Sequence, residues 1–217
     1  MGNHLDSTRG QTPPIPAKNT KQRILGAALE EFSQLGLAGA RVDRIAEKAG
    51  VNKAMIYYHY SSKENLYRQV VESFFIEASE NLWDTVTGSE SIEELLSRLV
   101  EFYTDLFSRR PAFTPIFLRE LADAKGELLD RVANILVGSG APMQAMRLFS
   151  EGSREEHLRS VNARHALILF LTMNIGYFVA APIIDRVWNI VDRDAFIRER
   201  NKVVVDIFLN GIRARQT

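Results

Sequence analysis

Cysteine is absent from the 217 residues. That excludes disulfides, thiolate metal sites and a cysteine nucleophile, and it fits a reducing compartment. Histidine is scarce, and His4, His59, His157 and His165 lie at no metal-ligand spacing, which argues against a structural zinc. No glycine-rich phosphate loop, nucleophile elbow or HExxH segment is present, so no enzyme class, catalytic residue or cofactor is indicated. An excess of charge of either sign is also missing, with 27 basic and 27 acidic residues. The balance conceals an asymmetry. From Met1 to Val70 ten Lys/Arg stand against six Asp/Glu, whereas the remainder carries seventeen against twenty-one. A basic end on a neutral chain points to a polyanionic partner at that end. The first residues, "MGNHLDSTRGQTPPIPAKNT", contain no apolar run of the secretory kind. They read as a flexible tail over 1–19 of a cytoplasmic protein.

What is present is apolar residue in plenty, 46% of the chain, enough to fill an ordinary core. One run, Ala166–Ile184, has nineteen residues without a charge and approaches membrane-spanning length. Thr172, Asn174, Gly176, Tyr177 and Pro182 interrupt it, and Arg164, Asp185 and Arg186 stand at its ends. It reads better as a helix with one face on its own core and the other on a partner chain, with no membrane involved.

Periodicity is helical nearly throughout. In "TKQRILGAALEEFSQLG" Ile24, Ala28, Phe32 and Leu35 form a stripe that Gly36 ends, and in "RVDRIAEKAG" Val42, Ile45, Ala46 and Ala49 form a second that Gly50 ends. A short helix over Asn52–Tyr60 follows, then a long one capped by Ser62 and ending before Gly88. Capping boxes at Ser91/Glu94 and Ser153/Glu156 mark later helix starts. Pro111 and Pro115 bracket a short segment, and "GSGAP" disturbs the helix after it. The last helix runs over about Asp194–Ile212, with Ile197, Val204, Ile207, Phe208 and Leu209 on its apolar side. The fold class is all-α with about nine helices.

Two helices joined only by Gly50-Val51-Asn52 form a helix-turn-helix signature. The first helix of such a pair holds the second so that it presents one face to a DNA major groove. Spacing divides the second helix. Ile56 and Tyr60 continue the inner stripe, leaving Lys53 with Tyr57, Ala54 with Tyr58, and Met55 with His59 on outward faces. Hydroxyls, imidazole and ammonium suit phosphate oxygens, and the slim Ala54 and Met55 suit approach to base edges. Lys63 adds a cation in the first turn of the next helix, and Arg41 offers a long reach to phosphate or base.

"RILGAALEEFSQLG" followed by "GARVDRIAEKAGVNKAMIYYHYSSKENLY" resembles the N-terminal domain of the TetR/AcrR family of transcriptional regulators. The likeness covers about Thr20 to Tyr67 and is carried by Gly50, Val51, Asn52, Lys53, Ala54, Ile56, Tyr57, Tyr60, Ser62, Lys63 and Glu64. Ala54 stands where that family often has glycine, Tyr60 where phenylalanine is usual, and Ala40-Arg41 replaces a hydroxyl-bearing helix start.

The resemblance implies a helix-turn-helix DNA-binding domain over 20–67 and a helical ligand-binding and dimerisation domain over 68–217. It also implies a repressor that binds a palindromic double-stranded DNA operator as a homodimer and is released by a small, mostly apolar effector. Activation, or action without an effector, stays open as the alternative. For the effector, the aromatic and polar-in-apolar positions are candidates: Trp83, Tyr103, Phe107, Phe113, Phe117, Met146, Phe149, Phe170, Met173, Asn174 and Tyr177.

Overall fold

A computed structural model of the protein describes residues 17–108, 112–122, 126–155, 158–159 and 161–214. Among these residues the chain forms ten helices, one more than expected, and no strand beyond an isolated Leu158–Arg213 bridge.

The first helix, α1 (Ala17–Gly39), begins three residues before the expected boundary at Thr20, and residues 1–16 of the expected tail lie outside those described. Gly36 takes φ 66 and ψ 177 inside it, so the predicted stop is a kink and one short turn continues beyond. Ile24, Ala28 and Phe32 are buried as the stripe requires, but Leu35 is turned out and 42% exposed. The next helix, α2 (Val42–Ala49), starts at Arg41 without any side-chain cap. A carboxylate from α1 takes the cap's place: Glu31, fully buried, accepts from the Arg41 backbone N–H at 3.4 Å. Its other oxygen lies 3.5 Å from Arg44 Nε and 3.6 Å from Lys48 Nζ. An anion at a helix N-terminus is favourable in its own right.

Helix α2 ends in a Schellman closure. Gly50, at φ 61, lets its N–H reach Glu47 O and lets Val51 N–H reach Ala46 O, each at 3.0 Å. Asn52 then caps α3 (Lys53–Tyr60) by accepting from Ala54 N–H at 2.9 Å. Ser62 caps α4 (Lys63–Thr87) by accepting from Asn65 N–H at 3.0 Å. These local closures, all made between neighbouring residues, set the angle between α2 and α3.

Beyond α4 come α5 (Ile92–Ser108), α6 (Phe113–Ala122), α7 (Glu127–Gly138), α8 (Ala141–Glu155), α9 (Ala163–Val187) and α10 (Arg193–Ile212). The break expected at "GSGAP" is complete: Gly140 at φ 75 separates α7 from α8, which accounts for the tenth helix. At Ser91 the hydroxyl accepts from Glu94 N–H, while the Glu94 carboxylate accepts from Glu90 N–H, one residue before the reciprocal partner of an ideal box. The start expected at Ser153 does not occur, because α8 continues to Glu155. The cap of α9 is Asn162, whose oxygen accepts from the N–H groups of Arg164 and His165.

Two packing regions result. One core joins α1, α2 and α3 to α4 and continues through Phe74 to Phe113, Ile116 and Val132 of α6 and α7. The second packs α5, α8, α9 and α10 around Leu96, Phe149, Phe170 and Phe208. The boundary expected after Tyr67 therefore falls within α4, a helix that belongs to both regions.

Candidate DNA interface and effector cavity

In the helix-turn-helix the division drawn from spacing is the one observed. Ile56 and Tyr60 are buried, and the Tyr60 hydroxyl donates to Lys21 O at 3.3 Å, tying α3 to α1. Burial raises the Tyr60 pKa above the usual phenol range. Ala54, Met55 and Tyr57 are exposed, and Tyr58 stands out furthest at 81% exposure. Together with Lys53 they form one outward surface. Arg41, at the start of α2, is exposed as well.

Three expected contact residues are already engaged in the free protein. Lys53 Nζ pairs with Asp43 Oδ1 at 2.8 Å, and that hydrogen bond raises the lysine pKa. Lys63 Nζ donates to Ala40 O at 3.3 Å and is partly covered. It thus ties α4 to the residue just before α2, where the sequence reading had it free beside open backbone N–H groups. His59 is half-buried, its ring edge-on to Tyr58 and Tyr60 at centroid distances of 5.1 and 6.2 Å, with Nε2 shielded. Only part of that imidazole faces outward, because the ring packs on its two neighbours.

Between the two cores a cavity of about 430 Å³ is walled by α4, α5, α6, α7, α8 and α9. Six of the eleven expected residues line it: Tyr103, Phe107, Phe113, Phe117, Met146 and Phe170. The other five are elsewhere. Trp83 is 42% exposed and lies over Gly140, where an added Cβ would sit 3.3 Å from the ring. Phe149 is core. Met173 faces outward, and its carbonyl accepts from Arg200 at 2.6 Å. Asn174 is fully buried with its amide donating to Phe170 O at 2.7 Å, so the polar group expected to need a foreign partner is half satisfied within its own helix. Tyr177 packs under the Arg200 guanidinium, 4.9 Å from ring centroid to Cζ, and donates to Asp185.

The sequence reading missed the rest of the wall: Phe75, Ala78, Leu82 and Val86 of α4, Leu99, Phe102 and Leu106 of α5, Leu136 of α7, Ala141, Pro142 and Ala145 of α8, and Arg164, Leu167, Ile168, Leu171 and Ile175 of α9. Their helical spacing signals burial and does not distinguish a wall from a core.

Helix α6 connects the two regions. Its Phe113 and Phe117 line the cavity, while Arg119 donates to the carbonyls of Phe32 and Ser33 in α1, each at 3.0 Å. The neighbouring Glu120 accepts from the Tyr67 hydroxyl of α4 at 2.5 Å, and burial together with that carboxylate holds the phenol protonated. Helix α9 divides its apolar surface in two. Ala166, Phe170, Phe178 and Ala181 are buried, whereas Ile168, Leu169, Val179, Ile183 and Val187 are exposed. By length and composition α9 is long enough to cross a membrane, yet it already buries part of itself against α5, α8 and α10.

Residues 24–70 match the family described as bacterial regulatory proteins of the tetR family. By those residues the chain carries a tetR-type helix-turn-helix domain. The transcriptional repressor NicS of Pseudomonas putida is 29% identical to it over 74% of this chain and 84% of NicS. The transcriptional regulator RutR of Escherichia coli K12 is 27% identical over 97% of this chain and 98% of RutR. Among solved structures, the regulator FadR of Bacillus subtilis, in complex with stearoyl-CoA, superposes with a TM-score of 0.66 at 20% identity, over 88% of this chain and 98% of FadR. The likeness to FadR shows that the fold extends through the C-terminal region, beyond the matched domain.

Proposed function

We propose that this protein acts in the cytoplasm as a TetR-family repressor that binds a palindromic operator as a homodimer and leaves it when a small, mostly apolar molecule fills the α4–α9 cavity. The observation that carries the reading is the double role of α4. One end is joined by Ser62 to the recognition helix, and Phe75, Ala78, Leu82 and Val86 along its length wall the cavity. An occupant that favours one tilt of α4 therefore favours one placement of α3, and ligand and DNA affinities become linked. The surface of Lys53, Ala54, Met55, Tyr57 and Tyr58, with Arg41, Lys63 and the outer edge of His59 beside it, supplies phosphate and base contacts. The exposed side of α9 with Val203 and Ile207 of α10 supplies a dimer face, and a two-fold pair of heads suits successive major grooves.

The reading is tested by gel shift on DNA upstream of the gene. Tyr58→Ala removes an exposed side chain whose ring meets the fold, among the described residues, only at the neighbouring His59. Its helical circular dichroism and melting temperature should match wild type while operator affinity falls by about tenfold. Unchanged operator binding by the variant would remove α3 as the reading head. A monomeric mass at micromolar concentration in sedimentation would remove the dimer.

A further inference from the structure

Almost every side chain on the cavity wall is apolar, and two carry a strong polar end: Tyr103 on α5 and Arg164 at the start of α9. They differ in what they offer a ligand. Arg164 is exposed, so water and salt screen its charge, and a pairing there changes affinity by about fivefold at most. Tyr103 packs against both the α5–α10 core and the Phe107–Phe178 cluster, and no hydrogen bond to a described residue engages its hydroxyl. Burial raises the phenol pKa further above its usual range, so the group is a donor at any physiological pH.

Tyr103 is half-buried on the cavity wall, so its unused hydroxyl is accessible from the cavity, and a ligand oxygen placed against it gains a hydrogen bond in apolar surroundings. A carboxylate in the same place would surrender its hydration with only one donor in return. We propose that Tyr103 is the specificity-determining residue of the cavity, its O–H donating to one carbonyl or ether oxygen of an uncharged and otherwise apolar effector. This rests on reading the cavity as the effector site.

The test uses the full-length protein and the neutral apolar dye N-phenyl-1-naphthylamine, whose fluorescence reports cavity occupancy. Against it, 2-octanone and octanoate compete as probes of equal chain length. Wild type should release the dye at about tenfold lower 2-octanone than octanoate, and Tyr103→Phe should lose about tenfold for the ketone with its dye affinity unchanged. If the dye binds but Tyr103→Phe leaves the ketone unaffected, the role of Tyr103 is overturned and the cavity reading stands. If octanoate is preferred and Arg164→Gln abolishes the preference, an anionic effector held at the rim replaces the neutral one. A dye that does not bind at all overturns the cavity as a ligand site, and this proposal with it.

Discussion

The helix-turn-helix end of the first core and the wall of the cavity contain the same kind of residue in different states of completion. Around Phe32 the aromatic rings are fully enclosed, with Tyr67 edge-on at 5.0 Å. Around Phe117 the rings of Phe75, Phe107 and Phe113 approach from one side and the cavity lies on the other. A ring with no atoms on one side forgoes the dispersion contacts it would make there. Around Phe32 the apolar surface is spent on rigidity, whereas beside the cavity part of the ring surface of the same core stays uncovered.

That contrast is open to experiment. Truncating a ring on each side gives the largest expected difference. Phe32→Ala should destabilise by about 3–5 kcal/mol and Phe117→Ala by roughly 1–2 kcal/mol, compared by denaturant unfolding of the two variants. Equal losses would mean that the cavity collapses around Phe117 and leaves no ring surface uncovered. An intermediate effect is expected where the regions are joined. Arg119→Met removes two hydrogen bonds to α1 and should lower stability by about 1–2 kcal/mol. It should also reduce the ligand-dependent change in operator affinity more than operator affinity itself, as read by gel shift with and without a displacing ligand. The smallest effect belongs to Trp83. Because that ring lies on Gly140 outside the cavity, Trp83→Phe should alter dye affinity by less than about twofold, and stability by about 0.5 kcal/mol or less.

The sequence was far more legible in the first region, for a physical reason. Turn chemistry at Gly50, capping at Asn52 and Ser62, and an inner stripe ending in Ile56 and Tyr60 are short-range relations that adjacent residues determine. So the orientation of α3 follows from a stretch of about ten residues. What failed there was a matter of long side chains. Lys53 and Lys63 reached Asp43 and the Ala40 carbonyl, ten and twenty-three residues away, and Glu31 replaced the missing hydroxyl cap from the preceding helix. Around the cavity the wall is assembled from six helices, and no local pattern distinguishes Leu171, which faces the cavity, from Leu169, which faces out. Choosing mainly large rings found six of the twenty-two wall residues. It also drew in Trp83, Phe149 and Tyr177, because a large ring signals burial whatever it is buried against.

Helix α4 has one more consequence, which is a matter of leverage. Twelve residues separate Lys63 from Phe75, the first α4 residue on the cavity wall, a lever arm of about 18 Å. Pivoting there by about 10°, the helix would carry its α3 end through roughly 3 Å. Two heads moving oppositely about a dimer axis would change their separation by roughly 6 Å, against a groove repeat of about 34 Å. In the proposed dimer a shift of that size along the cavity wall would be matched at the other end of the helix and felt at both half-sites at once.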